Sequence, residues 1–251
     1  MPSGRRKNFA KLNQMEVSEY QNIFLNEDEH WWYLGHHELL LEFVSQAEKV
    51  LDLGCGTGGL TKKLPGEVFC FDISPEAVEL AAKRDLPGLF LGDGASLPFA
   101  DETFELVVCN GVLYTLPEEK AKKCVEEISR VLKKKGTLLI DVPALEVARG
   151  PHDKTVHTVK RFSKKELVSL ISEADLNVER ISYHNFYLFP LALLIRQLQR
   201  FVGAEPHSDI KKENWLKNEI LLSILRLENW LIKKGINLPF GLSLFALVRK
   251  A

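Results

Sequence analysis

Three aspartates carry the most chemical information in this chain, because each lies in or at the end of a short apolar run that leads into a turn. Asp52 sits in Val50-Leu51-Asp52-Leu53 and leads into Gly54-Cys55-Gly56-Thr57-Gly58-Gly59. Asp72 closes Glu67-Val68-Phe69-Cys70-Phe71, and Asp93 stands in Leu89-Phe90-Leu91-Gly92-Asp93-Gly94. Apolar runs of this length without strict alternation read as strands buried on both faces. Glycines at the first turn admit positive φ and let a ligand lie against the main chain. A lone strand-end aspartate is ordinarily a cap or turn residue. Three of them on successive strand–helix units fall where open α/β sheets bind ligands, at the carboxyl ends of the strands.

Charge separates the ligands that such a loop could hold. Gly54, Gly56 and Gly59 fit the G-x-G-x-x-G spacing of dinucleotide sites, and Asp72 stands about where the ribose-binding acid would be. A pyrophosphate on the loop would face Asp52, and like charges about 5 Å apart repel by roughly 3 kcal/mol at an effective dielectric of about 20. S-adenosylmethionine has no phosphate and carries an ammonium and a sulfonium, which the same carboxylate attracts. In this reading Asp72 accepts from the ribose hydroxyls. Asp93 accepts from the adenine amine, and Ile73 offers the base an apolar face. Ser74 and Pro75 then cap and open the next helix.

The order VLDLGCGTGGL, CFDISPEAVELA, GDGASLPFADETFELVVCNGVLYTL and ISRVLKKKGTLLIDVP resembles the class I S-adenosylmethionine-dependent methyltransferases over about residues 48–143. The resemblance implies an α/β fold: a Rossmann-like, doubly wound, seven-stranded sheet whose last strand is antiparallel. It also implies S-adenosylmethionine as cofactor and S-adenosylhomocysteine as product. Asp52, Gly54 and Gly56 would hold the methionine end, with Gly58 in the same loop. Asp72 would hold the ribose, and Asp93 with the Gly94 backbone the adenine. The Asn110 backbone would receive the ammonium. Two departures stand out. Lys134-Lys135-Gly136-Thr137 replaces the usual Lys-Pro-Gly-Gly turn, and Tyr114-Thr115 replaces a histidine pair, which removes a base from that position. The stretch Glu29 to His37 (EHWWYLGHH) resembles a branch in which an aromatic helix covers the cofactor, with arginines where His36 and His37 stand. Either these imidazoles donate to the methionine carboxylate, or a Trp-rich helix packs on the core with two surface histidines.

The remaining chain must position these residues. Residues 1–14 read as a frayed tail, with helices over Glu16–Asn26 and His30–Ala47 and a further helix opening beside Leu60 and Leu64. A loop from Ala144 leads to a capped helix start at Ser163, then to a strand near Asn177–Tyr183. The last strand is Ser243–Arg249, and more than fifty residues separate the two. Such an excursion inside a compact domain usually has a task or a fold of its own. Helical spacing gathers Leu191, Leu194, Ile195, Leu198 and Val202 on one face, and Ile220, Ile224, Leu227 and Leu231 on another, widened by Leu221, Leu225 and Ile232. The expected divisions are covering helices at 1–47, a cofactor-binding core at 48–183, a helical insertion at 184–240 and a final strand at 241–251. The insertion is a lid over the substrate, a homodimer interface, or a peripheral membrane contact that admits a lipid-linked acceptor.

Composition narrows the function classes. Lysine and arginine total 33 against 34 acids in 251 residues, so the basic excess of a nucleic-acid binder is missing. Cys55, Cys70, Cys109 and Cys124 lack metal-ligand spacing and read as small core hydrophobes, which predicts no metal site. The apolar run from Phe186 to Ile195 is too short to span a bilayer, and the polar N-terminus carries no signal, so a cytoplasmic protein is expected. Methyl transfer from a sulfonium is an in-line displacement that mainly needs positioning, and only a hydroxyl acceptor needs a base. His157 or His152 could take that proton, with Asp153 orienting an imidazole, or all could be loop residues. The acceptor is a small molecule or lipid- or glycan-linked. Two other functions stand beside this one: cofactor binding without turnover, and a nicotinamide-dependent oxidoreductase.

Overall fold

The computed structural model describes residues 15–251. The tail at 1–14, with its Arg5-Arg6-Lys7 cluster, lies outside them. Two helices, α1 (Val17–Asn26) and α2 (Trp31–Leu41), precede the sheet. Strands β1 (Lys49–Leu53), β2 (Glu67–Asp72), β3 (Leu89–Leu91) and β4 (Phe104–Asn110) follow, with α3 (Pro75–Ala82) between β2 and β3. Helix α4 (Glu118–Val131) leads to β5 (Leu132–Pro143), and α5 (Pro151–Thr155) and α6 (Lys164–Ser172) lead to β6 (Leu176–His184). Helices α7 (Phe189–Phe201) and α8 (Trp215–Lys233) fill the excursion before β7 (Ser243–Lys250).

The seven strands form one sheet in the order β3-β2-β1-β4-β5-β7-β6. Pairings from β3 to β5 are parallel, and β7 runs antiparallel to both β5 and β6. The expected fold class therefore holds. Strand order reverses between β1 and β4, and this switch point opens a crevice at their carboxyl ends. Its rear wall is the buried sheet itself, with Val50, Leu51, Leu106, Val107, Leu139 and Ile140 inaccessible to solvent. All four cysteines are free and buried, as small core hydrophobes should be.

Local signals set most boundaries. Ser74 accepts from the Ala77 N–H at 3.3 Å with Pro75 at the first helical position, and Ser163 forms a capping box with Glu166. The expected helix beyond the glycine loop is reduced to a single 3-10 turn, Thr61–Lys63. Leu64-Pro65-Gly66 explains the correction: proline disfavours helical backbone at Leu64, and Gly66 turns the chain at φ +71°. Helix α2 likewise stops at Leu41, short of the expected Ala47.

The excursion departs furthest from its sequence pattern. Helix α8 lies along α2 and buries Leu222, Leu225, Asn229 and Ile232, whereas Ile220 and Leu227 from the expected inner face are exposed. Asn229 donates to the Gly35 carbonyl at 2.7 Å, and the Asn218 side chain accepts from the Trp31 N–H at 2.8 Å. The expected α7 stripe is largely exposed: Leu194 and Leu198 are each 57% exposed and Val202 73%. Glu228, fully buried on α8, accepts the Phe186 and Tyr187 N–H groups at 3.0 and 2.9 Å and fixes the turn that launches α7.

Candidate functional site

A cavity of about 650 Å³ runs over the carboxyl ends of β1, β2, β4 and β5, beneath α1, α2 and α7. That volume suits a nucleoside-sized ligand with space to spare. Asp52, Gly54, Gly56, Asp72, Ile73, Asp93, Gly94 and Asn110 all border it, so eight of the nine expected cofactor residues converge. The ninth, Gly58, does not. A Cβ there would strike Leu86 and Arg84, so its φ of +86° serves close packing of the loop on α3. At Gly56, by contrast, φ is +54° and no atom lies within 4 Å of the missing Cβ. The loop thus leaves open space on its cavity side, as a backbone cradle for a ligand must.

The acids around this loop lack cationic partners in proportion to their number. Asp52 is buried, accepting from the Thr61 hydroxyl at 2.6 Å, and burial pushes its carboxyl up to about 7. Asp72 accepts the Gly56 and Ser74 N–H groups at 2.9 and 2.8 Å, one per oxygen, and burial raises it as well. The Ile73 N–H also donates to Asp72, and the carboxylate keeps a remaining lone pair for a hydroxyl. Asp93 accepts from the Ala95 N–H at 3.0 Å and pairs with Lys120 at 2.8 Å. A third buried acid, Glu27 on the C-terminal side of α1, accepts from the Thr57 hydroxyl and is likewise raised by burial. Arg84 ties it down at 2.7 Å while reaching Asp28 and the Thr57 carbonyl. Sequence reading missed Glu27, since a charged residue after an amphipathic helix carries no signal of burial.

The aromatic helix covers the crevice as the branch resemblance implied, but its histidines are not on the surface. His36 and His37 are both buried, and burial lowers the basicity of both rings. His37 Nδ1 lies 3.3 Å from the Lys63 ammonium. His36 Nε2 lies 2.9 Å from Asn110 Oδ1 and 3.9 Å from Asp141, while its Nδ1 has no hydrogen-bond partner among the described residues. Asp141, near the end of β5, also takes His184 Nε2 at 2.9 Å. The rings of Trp32, His36 and His184 lie nearly parallel with centroids 5.3–5.5 Å apart.

The two loop histidines stand apart from each other. Part of that loop is the short helix α5, and His157, just beyond it at φ +52°, lies outside the cavity and 3.8 Å from Glu16. His152 borders the cavity, yet its Nδ1 accepts the Asp209 N–H at 3.2 Å. Asp153 orients neither ring. It forms a buried two-point pair with Arg161 at 2.8 and 3.2 Å, which holds its carboxyl below the usual range against burial. Tyr114 does border the cavity, and burial raises its hydroxyl.

Comparisons with known proteins agree with this geometry. A family model described as a methyltransferase domain matches residues 51–140. Phthiotriol/phenolphthiotriol dimycocerosates methyltransferase 1 of Mycobacterium ulcerans is 30% identical over 68% of this chain and 65% of its own length. Demethylmenaquinone methyltransferase of Thermotoga maritima is 38% identical over 41% of this chain and 46% of its own. The chain thus spans less than two thirds of these curated relatives. A chain from the complex of the Haloferax volcanii Trm112 methyltransferase activator with its partner shares the fold, at TM-score 0.59 and 22% identity over 94% of this chain and 93% of that one. Residues 51–140 thus match a methyltransferase domain, and the chain as a whole shares the fold of that solved structure.

Proposed function

We propose that this protein transfers a methyl group from S-adenosylmethionine to an apolar acceptor, small or lipid-linked, that enters beneath α7. The observation that carries this reading is a single cavity with two unlike halves. One half gathers the glycine loop with Asp52, Asp72 and Asp93; the other is walled by Leu188, Leu191, Ala192 and Ile195 of the α7 segment. An acidic half with two buried, undercompensated carboxylates suits an ammonium and a sulfonium and repels a pyrophosphate. This is the ground for setting the nicotinamide reading aside.

Bound S-adenosylmethionine supplies a methyl group activated by positive sulfur. The chain's own residues hold and orient. Asp72 would use its remaining lone pair on the ribose, Ile73 would back the adenine, and Asp93 with Gly94 would read its edge. Asp52, with Gly54, Gly56 and Asn110, would hold the cationic methionine end. Trp31, Trp32 and Tyr33 on α2 exclude water from above. The relatives are named for phthiotriol/phenolphthiotriol dimycocerosates and for demethylmenaquinone. The exposed apolar face of α7, continuous with the cavity wall and flanked by Arg196 and Arg200, fits an acceptor delivered from a lipid surface.

Radiolabelled methyl transfer to a total lipid extract, compared with a panel of water-soluble amines, tests the reading. Label in the organic phase that vanishes in Asp72→Ala is the expected result. Cofactor binding without label in either phase would leave a binding protein without turnover.

A further inference from the structure

We propose that His36, Asp141 and His184 form a site for one divalent transition-metal ion, with the Asn110 carboxamide oxygen beside it. One ligand atom from each of the three lies within 4.8 Å of the other two, and all three residues are buried. Their contacts converge: 2.9 Å from His184 Nε2 to Asp141 Oδ2, 3.9 Å from His36 Nε2 to Asp141 Oδ1, and 2.9 Å from His36 Nε2 to Asn110 Oδ1. Four elements (α2, β4, β5 and β6) each contribute one of these groups, so the cluster is a product of the fold and not of a local motif. Donor separations of this size are those of groups sharing an ion at about 2.1 Å.

The charge balance points the same way. Asp141 is 5% exposed, and among the described residues its ion partners are these two imidazoles, with neither lysine nor arginine. A buried carboxylate without a fixed counter-charge is costly, and a cation between it and two imidazoles removes that cost. The donor set names the class of ion. Two imidazoles and one carboxylate suit zinc, iron(II), cobalt(II) or manganese(II), whereas magnesium and calcium take oxygen ligands and copper(I) prefers sulfur. The near-parallel Trp32 ring fixes both imidazoles from one side.

The site borders the crevice. His36, Asn110 and Asp141 border the cavity, while His184 stands behind them. A three-residue set leaves coordination positions open, and three of the four groups border the same cavity as the apolar α7 wall. On the methyl-transfer reading, which the site itself does not need, the ion selects acceptors that present an oxygen ligand.

Cobalt(II) titration of chelator-treated full-length protein tests the site. One equivalent should bind with visible d–d absorption, and His184→Ala and Asp141→Asn should weaken binding by about 100-fold or more, beyond the loss typical of an outer-shell partner. S-adenosylhomocysteine should still raise the melting temperature of His184→Ala, which reports a folded cofactor half, and His36→Gln provides a second ligand variant. Absence of cobalt uptake by the wild type, or uptake indifferent to these substitutions, overturns the site. So does retention of a protonated His184 by NMR in the presence of cobalt, since His184 would then be the counter-charge itself. Cobalt uptake without methylation of any oxygen acceptor refutes the substrate reading and leaves the site standing.

Discussion

At the scale of residues, one carboxylate links ligand choice to pH. Burial raises Asp52 from the ordinary carboxylate range to about 7. A folded-state pKa above the unfolded value means that the native protein holds the proton more tightly. The contribution of Asp52 to stability is therefore present at low pH and is lost as pH rises toward about 7. The difference in melting temperature between wild type and Asp52→Asn should accordingly shift against the wild type from pH 5 to pH 8. Affinity for S-adenosylmethionine has the opposite sign, because the ionised form attracts the cation. Calorimetry should find it tightening through neutrality in the wild type and flat in Asp52→Asn. Asp72→Ala should weaken S-adenosylhomocysteine binding by about 1.5–3 kcal/mol, the worth of a lost charged hydrogen bond, and calorimetry reads this directly. Most of these residues were legible in the sequence because strand ends and glycines leave a local signature. The His36–Asp141–His184 cluster was not, since its members stand far apart in the chain and meet only when β5 and β6 flank β7.

At the scale of elements, the caps and parallel strands followed their local rules, and the long excursion did not. Its apolar spacing named faces but not partners. Helix α8 turned Leu222, Leu225 and Ile232 toward α2, where the Gly35 backbone admits close approach. A Cβ at Gly35 would come within 2.7 Å of Leu225 Cδ1 and 2.8 Å of its Cβ. Gly35→Ala should therefore destabilise by about 1–3 kcal/mol through overpacking, measured by denaturant unfolding. No sequence rule announces the role of Glu228, which appears as one more acid on an amphipathic helix. Glu228→Ala would orphan two backbone N–H groups at the start of α7. The expected loss is about 2 kcal/mol or more, accompanied by faster hydrogen exchange at Phe186 and Tyr187.

At the scale of the whole molecule, no helix among the described residues is long and apolar enough to cross a membrane. The outward faces of α7 and α8 still present Leu194, Leu198, Phe201, Trp215 and Ile220 to solvent. Exposed apolar area of this extent ordinarily marks an interaction surface. Flotation with anionic vesicles should carry the wild type upward and leave a Leu194→Glu, Leu198→Glu double variant at the bottom. If both stay down, the acceptor arrives from solution and the lipid-surface reading fails. The order of the strands has a further consequence for how the chain is made. Strand β7 leaves the ribosome after β5 and β6, yet it belongs between them. Until it arrives, those two strands expose unpaired edges, and the half of the crevice beside Asp141 cannot close. The half that carries the glycine loop, completed by β4, is ready well before. A nascent chain stalled short of Ser243 should thus recognise nucleoside before it can accommodate anything to be methylated.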